Sequence, residues 1–156
     1  MPSSDPRLAA LKLLARREYS QFELKKKLKA KAFPLAEIEA QLELLKAEGL
    51  QSDARFTEAF INDRIRAGYG PRAICLALEE KGVAEALIDQ FISVYSDAFW
   101  RSQLETLWQK RFGARKASSG TDLLAEKAKQ YRFLSYRGFE SHAIYALLKQ
   151  VSYEEQ

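Results

Sequence analysis

Shifted by 50 positions against itself, the chain meets its own pattern: Ser20 falls on Gly70, Leu24 on Ile74, Leu28 on Leu78, Lys31 on Lys81, Ala32 on Gly82, Phe33 on Val83, Ile38 on Ile88 and Leu42 on Ile92. A further shift of 56 carries Leu78 to Leu134, Lys81 to Arg137, Gly82 to Gly138, Val83 to Phe139, Ile88 to Ile144 and Ile92 to Leu148. Self-similarity at such a period marks a repeat architecture. The spacing predicts three tandem units, at residues 1–50, 51–96 and 97–156, the last lengthened before its middle helix by a loop around Gly113–Gly120. A unit of about 50 residues seldom buries enough apolar surface to stand alone, so the units are expected to pack on one another as an elongated array.

Local signals make each unit three helices. The glycines and prolines fall where helices would start or stop. Residues 6–18 place Leu8, Leu11, Leu14 and Ala15 on one side of a first helix. Ser20 with Glu23 three positions on has the form of a capping box, so a second helix begins at Ser20 with Leu24 and Leu28 inward. Pro34 suits the first turn of a third, whose Leu35, Ile38, Leu42 and Leu45 share a face before Gly49 stops it. The fold class is therefore all-α, built of helix-turn-helix-like triplets, and a hydrophobic content of 47% suffices for a core.

No run approaches the roughly 18–20 apolar residues that span a bilayer, and the N-terminal stretch lacks the form of a secretory leader. One cysteine, Cys75, and one histidine, His142, supply neither an internal disulfide nor a four-ligand zinc site. A cytoplasmic protein without metal, cofactor or membrane contact is expected. Catalysis finds no motif either: Cys75 and His142 belong to different units, and Asp53, Glu58 and Asp63, spaced by five, point 140° apart in succession on a helix.

Charge is uneven along the chain, net +6 over residues 1–33, −6 over 34–99 and +4 over 100–156. Basic ends around an acidic middle suit contact with a polyanion or an acidic protein surface at more than one place; ordinary solvated faces are the other reading. On the second helix, Lys25, Lys26 and Lys29 lie on the outward half and Lys27 on a flank, which concentrates a basic face. In the second unit Cys75, Leu76, Ala77 and Glu79 stand where Lys25, Lys26, Lys27 and Lys29 stand in the first. Leu76 then projects from its unit's core, either towards a neighbouring unit or as apolar binding surface. In the third unit the run from Tyr131 to Phe139 interleaves rings and cations: Phe133, Leu134 and Phe139 read as core, and Arg132, Tyr136 and Arg137 as candidates for stacking or cation–π contact. The stretch from Arg64 to Arg72 lacks the spacing of a phosphate-binding loop. Gly68 ends a helix there, Gly70 permits a turn and Pro71 starts the next helix, while Arg64, Arg66 and Arg72 are candidates to touch an anionic partner.

At these residues the chain resembles the RecX family of recombination regulators. The matching segments are Leu11 to Ser20 followed by Glu23-Leu24 and Lys27-Leu28; Asp53 to Phe56; Arg64 to Pro71 with Lys81-Gly82; and Arg132 to Leu134 with Arg137-Gly138. The resemblance implies a cytoplasmic, non-enzymatic protein of three-helix repeats that binds RecA, lies along the groove of its nucleoprotein filament, and lowers recombinase, ATPase and co-protease activity. It also implies some affinity for DNA itself, and a monomer is expected. The sequence departs from the family pattern at Cys75 and Ala77, where relatives often carry a basic and an acidic residue. A general DNA binder and a helical adaptor are the alternatives. Sequence-specific reading is disfavoured because the third helix of the first unit exposes Glu37, Glu39 and Glu43, which phosphate repels.

Overall fold

A computed structural model describes residues 5–113 and 120–154; the interior of the expected loop, residues 114–119, lies outside the described residues. Among them are nine helices and no strand: α1 (Pro6–Leu14), α2 (Gln21–Ala30), α3 (Leu35–Ala47), α4 (Asp53–Arg66), α5 (Pro71–Glu80), α6 (Glu85–Ile92), α7 (Asp97–Phe112), α8 (Gly120–Tyr136) and α9 (Ser141–Glu154). The all-α expectation holds. Two compact units emerge, the first drawn from Met1–Ile61 and Ala77–Phe91, the second from Asn62–Leu76 and Ile92–Gln156, so that α4 and α5 are each divided between them.

In the first unit, α1 packs against both α2 and α3. The expected α1 face is corrected. Leu11 and Leu14 do pack on the core, but Ala9 and Ala10 are the buried positions, whereas Leu8 is 44% exposed and Ala15 is exposed. A helix wedged against two others presents small residues to them, and its leucines spread to the flanks. Ser20 is the N-cap of α2, and both halves of the capping box form. Pro34 stands at the N-cap of α3 with extended backbone and not within the first turn. Leu35 is left 46% exposed while Phe33, just upstream, packs on the core of Leu24, Leu28, Ile38, Leu42 and Leu45. In the second unit Leu104, Leu134, Phe139, Ile144, Leu147 and Leu148 form the corresponding core, with Trp100, Trp108 and Phe133 packed around it.

The middle helices end alike. Beyond α2, α5 and α8 the N–H of Phe33, Val83 and Phe139 donates back to the carbonyl of Leu28, Leu78 and Leu134. The residue before each is left-handed: Ala32 at φ 66°, Gly82 at 76° and Gly138 at 95°. This is the Schellman type of helix end, repeated at the intervals found in the sequence.

Two of these turns receive the start of another middle helix. Within the first unit, Ser20 Oγ donates to the Lys81 carbonyl at 2.7 Å, and a Cβ placed on Gly82 would sit 2.5 Å from Phe22 Cβ. Within the second, the N–H of Gly70 donates to the Arg137 carbonyl at 2.7 Å and that of Arg72 to the Gly138 carbonyl at 3.0 Å. There a Cβ on Gly138 would overlap Ala73. Gly70 is itself required by this approach and not by its own turn, since a Cβ on it would lie 2.6 Å from the Gly138 oxygen. The Ala32 turn is exposed, and the same position there tolerates a side chain.

Left-handed strain and steric overlap add at Gly82 and Gly138, so Gly82→Ala and Gly138→Ala each destabilise the fold by about 2–4 kcal/mol. Ala32→Gly relieves strain with no neighbour to lose, and changes stability by about 1 kcal/mol or less. Urea unfolding followed by circular dichroism measures all three.

Candidate functional site

A helix displays cations reliably only where its ends are fixed. On α2 the capping box and the Lys81 turn fix the start, and Lys26, Lys27 and Lys29 are exposed along the outer side. Lys27 and Lys29 also fall in the last turn, where the partial negative charge of the helix end favours them. Lys25 differs from them, being half-buried with Nζ 3.3 Å from Glu39 Oε1. Beside it runs a cleft of about 430 Å³ whose lining sets Glu39, Glu43 and Asp53 against this one lysine. That cleft suits no anion. The exposed cationic surface of α2 is therefore Lys26 with Lys29, which lies one turn along from Lys25, and Lys27 on the flank.

Glu23 ties this face to the joint. Its carboxylate accepts from the Ser20 N–H at 3.1 Å and from both terminal nitrogens of Arg17 at 3.1 and 3.3 Å, and Lys81 Nζ lies 3.2 Å away. Partial burial opposes ionisation, but the hydrogen bonds from Arg17, Ser20 and Lys81 outweigh it and hold the carboxyl below the usual range. Arg17 in turn stacks on Tyr19, its guanidinium 3.6 Å from the ring centre.

The candidate arginines of the second unit divide by what they touch. Arg137 donates to the Ala67 carbonyl at 2.9 Å and lies over Tyr69 and Phe133 at 4.8 and 5.4 Å. Arg72 donates to the Ser135 carbonyl and hydroxyl at 2.9 and 3.2 Å. Both are engaged where the start of α5 meets the end of α8. Arg64 lies over the Tyr69 ring at 5.2 Å. Arg66, Arg132 and Tyr136 face solvent, Tyr136 at 82% exposure. Leu76 is 56% exposed.

Several partners had no local signal in the sequence. Arg111 stacks on Phe133 at 5.1 Å from a different helix. Tyr131 and Tyr145 stack with ring centres 4.9 Å apart and planes 22° apart, joining α8 to α9. A cleft of about 350 Å³ between the starts of α5, α7 and α9 is lined by Trp100, Asp97, Arg101, Glu140 and His142, charges of both signs. Among the described residues no group of three or more His, Cys, Asp or Glu could hold a metal ion, and no helix is long and apolar enough to cross a membrane.

Comparison with known proteins adds an independent line. Family models described as the first, second and third three-helix domains of RecX match residues 7–43, 52–91 and 101–148. The chain is 41% identical to the regulatory protein RecX of Ectopseudomonas mendocina over 143 residues, covering 92% of each, and 40% identical to that of Pseudomonas fluorescens over 142 residues, covering 91% of this chain and 88% of the relative. The crystal structure of RecX from Lactobacillus salivarius shares the fold, with a TM-score of 0.75 at 20% identity over 96% of both chains.

Because the Glu23 carboxyl is held below its unfolded value, the stability it contributes is complete above the unfolded pKa and is lost as pH falls through the folded one. Glu23→Gln destabilises the protein by about 1–2 kcal/mol at pH 7. The difference from the parent narrows below about pH 4 as the parent protonates. Denaturant midpoints between pH 3 and pH 7 test both statements.

Proposed function

The chain belongs to the RecX family, and on that premise we propose that it is a non-enzymatic regulator that binds RecA and lies along the groove of the RecA–DNA filament. Three repeats, at residues 1–50, 51–96 and 97–156, share the contact, and the chain acts in the cytoplasm as a monomer. The observation that carries this reading is the exposed Lys26, Lys27 and Lys29 face on α2, a helix whose start is fixed by its capping box and by the Lys81 carbonyl. A cationic surface on a fixed rod meets an acidic or phosphate-bearing surface without a large ordering cost.

No reaction is needed for regulation of this kind. Rigid units seated in a groove exclude DNA partners and repressor substrates by volume and charge, and bridging of neighbouring filament subunits opposes growth. Electrostatic attraction speeds the encounter and makes it salt-sensitive. Arg66 and Arg132 extend the cationic surface at other points of the chain, while Arg72 and Arg137 serve it by holding the helices that carry it.

Reversal of the face, Lys26→Glu with Lys27→Glu and Lys29→Glu, abolishes inhibition of DNA-dependent ATP hydrolysis by RecA while the far-ultraviolet spectrum stays that of the parent. Lys25 is left in place because it pairs with Glu39. If the three lysines face phosphate, the slope of log affinity against log salt for RecA-coated DNA falls by about 2–3 in the variant. An unchanged inhibitor removes this face from the mechanism.

A further inference from the structure

We propose that the paired rings Tyr131 and Tyr145, with Lys149 one turn along α9 and Arg132 on the neighbouring stripe of α8, form a stacking surface for the bases of an unpaired nucleic-acid strand. The inference concerns naked nucleic acid and does not rest on the RecA reading. Tyr131 lies against Tyr145 in a near-parallel stack, and Tyr145 remains 61% exposed. The inner ring is fixed: its hydroxyl shares a 3.1 Å hydrogen bond with Ser141 Oγ across the α8–α9 pair, and it belongs to the ring of side chains packed on the core. A base added to the outer ring would extend a stack whose first member does not move. Aromatic faces of this kind accept any base, at about 1–3 kcal/mol each.

Exposed cations stand on the same two helices as the rings. Arg72, held on Ser135 four residues along α8 from Tyr131, belongs to the frame and is not among them. Arg132 and Tyr136 are both exposed and, four residues apart, share the neighbouring stripe of α8. On α9, Ser141, Tyr145 and Lys149 follow one another at intervals of four, and Lys149 is exposed. Each nucleotide of a single strand offers one ring face and one negative charge, and the two helices offer exposed rings together with exposed cations. A duplex keeps its bases stacked on one another and presents only phosphate. An acidic protein would meet the same cations but would leave the open face of Tyr145 unmatched. Glu140, just before α9, and Asp97, at the start of α7, line the separate mixed-charge cleft described above.

The test uses the full chain and fluorescence anisotropy with a labelled 20-mer of oligo(dT) and a labelled hairpin duplex of equal length. Tyr145→Ala weakens oligo(dT) binding by about 5- to 150-fold, the loss expected for one base–ring stack. Tyr145→Phe keeps the ring and stays within about twofold of the parent, Tyr145→Leu falls with the alanine variant, and duplex affinity moves in none of them. Circular dichroism and melting temperature show that the exposed substitutions leave the fold intact. The proposal is overturned by parental oligo(dT) affinity in Tyr145→Ala, by equal losses for duplex and single strand, by equal losses in the phenylalanine and alanine variants, or by a parent that does not bind oligo(dT). Parental oligo(dT) affinity combined with lost inhibition of RecA in Tyr145→Ala would reassign the surface to protein contact, and sinks it as well.

Discussion

A helix begins with amide hydrogens that have no partner in the helix and ends with carbonyls that have none. In this chain the carbonyl deficit at the end of one middle helix is met at the start of another. The Ser20 hydroxyl and the Gly70 amide each donate to the carbonyl just before a left-handed glycine, that of Lys81 in one case and Arg137 in the other. The partial positive end of one helix thus abuts the partial negative end of the next, an arrangement favoured by the macrodipole and by the hydrogen-bond count together. Glycine is needed at 82 and 138 because a methyl group would occupy the space of Phe22 or Ala73. Ala32 marks the corresponding turn that lies open to solvent, and it keeps its left-handed backbone with a methyl group attached.

The two joints solve one problem with different side chains. In the first, Ser20 spends its own amide on Glu23, so its hydroxyl serves the Lys81 carbonyl, and Glu23 binds the Lys81 ammonium as well. In the second, Ala73 stands where Glu23 would be, and no carboxylate is there for Arg137 to pair with. Arg137 turns to the Ala67 carbonyl and the Tyr69 ring instead, while Gly70 supplies its amide directly. Arg17 on Tyr19 and Arg137 on Tyr69 are then equivalent stacks, since Tyr19 and Tyr69 are 50 residues apart, but their cations come from opposite sides of the joint.

Most of the fold was legible because its signals are local. Capping at Ser20 and the inward pairs Leu24 with Leu28 and Ile38 with Leu42 each follow from spacings within a single helix, and the repeat aligned positions 82 and 138. What escaped depends on contacts across long stretches of chain. Gly70 read as a turn glycine, yet its φ is not left-handed and its reason is a carbonyl 68 residues away. The face of α1 was misplaced because hydrophobicity ranks leucine above alanine, whereas wedging between two helices rewards the smaller side chain. Of the candidate site, Lys26 and Lys29 could be read directly, since exposure follows from the angle around one helix, whereas Lys25, read as outward, is half-buried against Glu39, a residue of another helix, and Lys27, read as a flank, is exposed. The Tyr131–Tyr145 stack could not, because Tyr145 belongs to a helix on which nothing periodic sets it apart.

The same distinction decides which cations an anion can reach. Arg17, Lys81, Arg72 and Arg137 have acceptors or rings close to their charged groups, and drawing them towards a partner would open a joint. Lys26, Lys27, Lys29 and Arg132 are exposed, so a partner there displaces mainly water. Charge counted along the sequence mixes the two sets and overstates the second unit as an anion surface. It also blurs their roles, because reversing Arg137 would disturb the turn at Gly138 and the start of α5 before it changed any external contact. Where α5 carries Cys75, Leu76, Ala77 and Glu79, the outward cations of α2 are gone but the joint residues Gly70 and Lys81 remain. The frame and the display surface of each repeat therefore occupy different positions of the same helix, and either can change while the other is held.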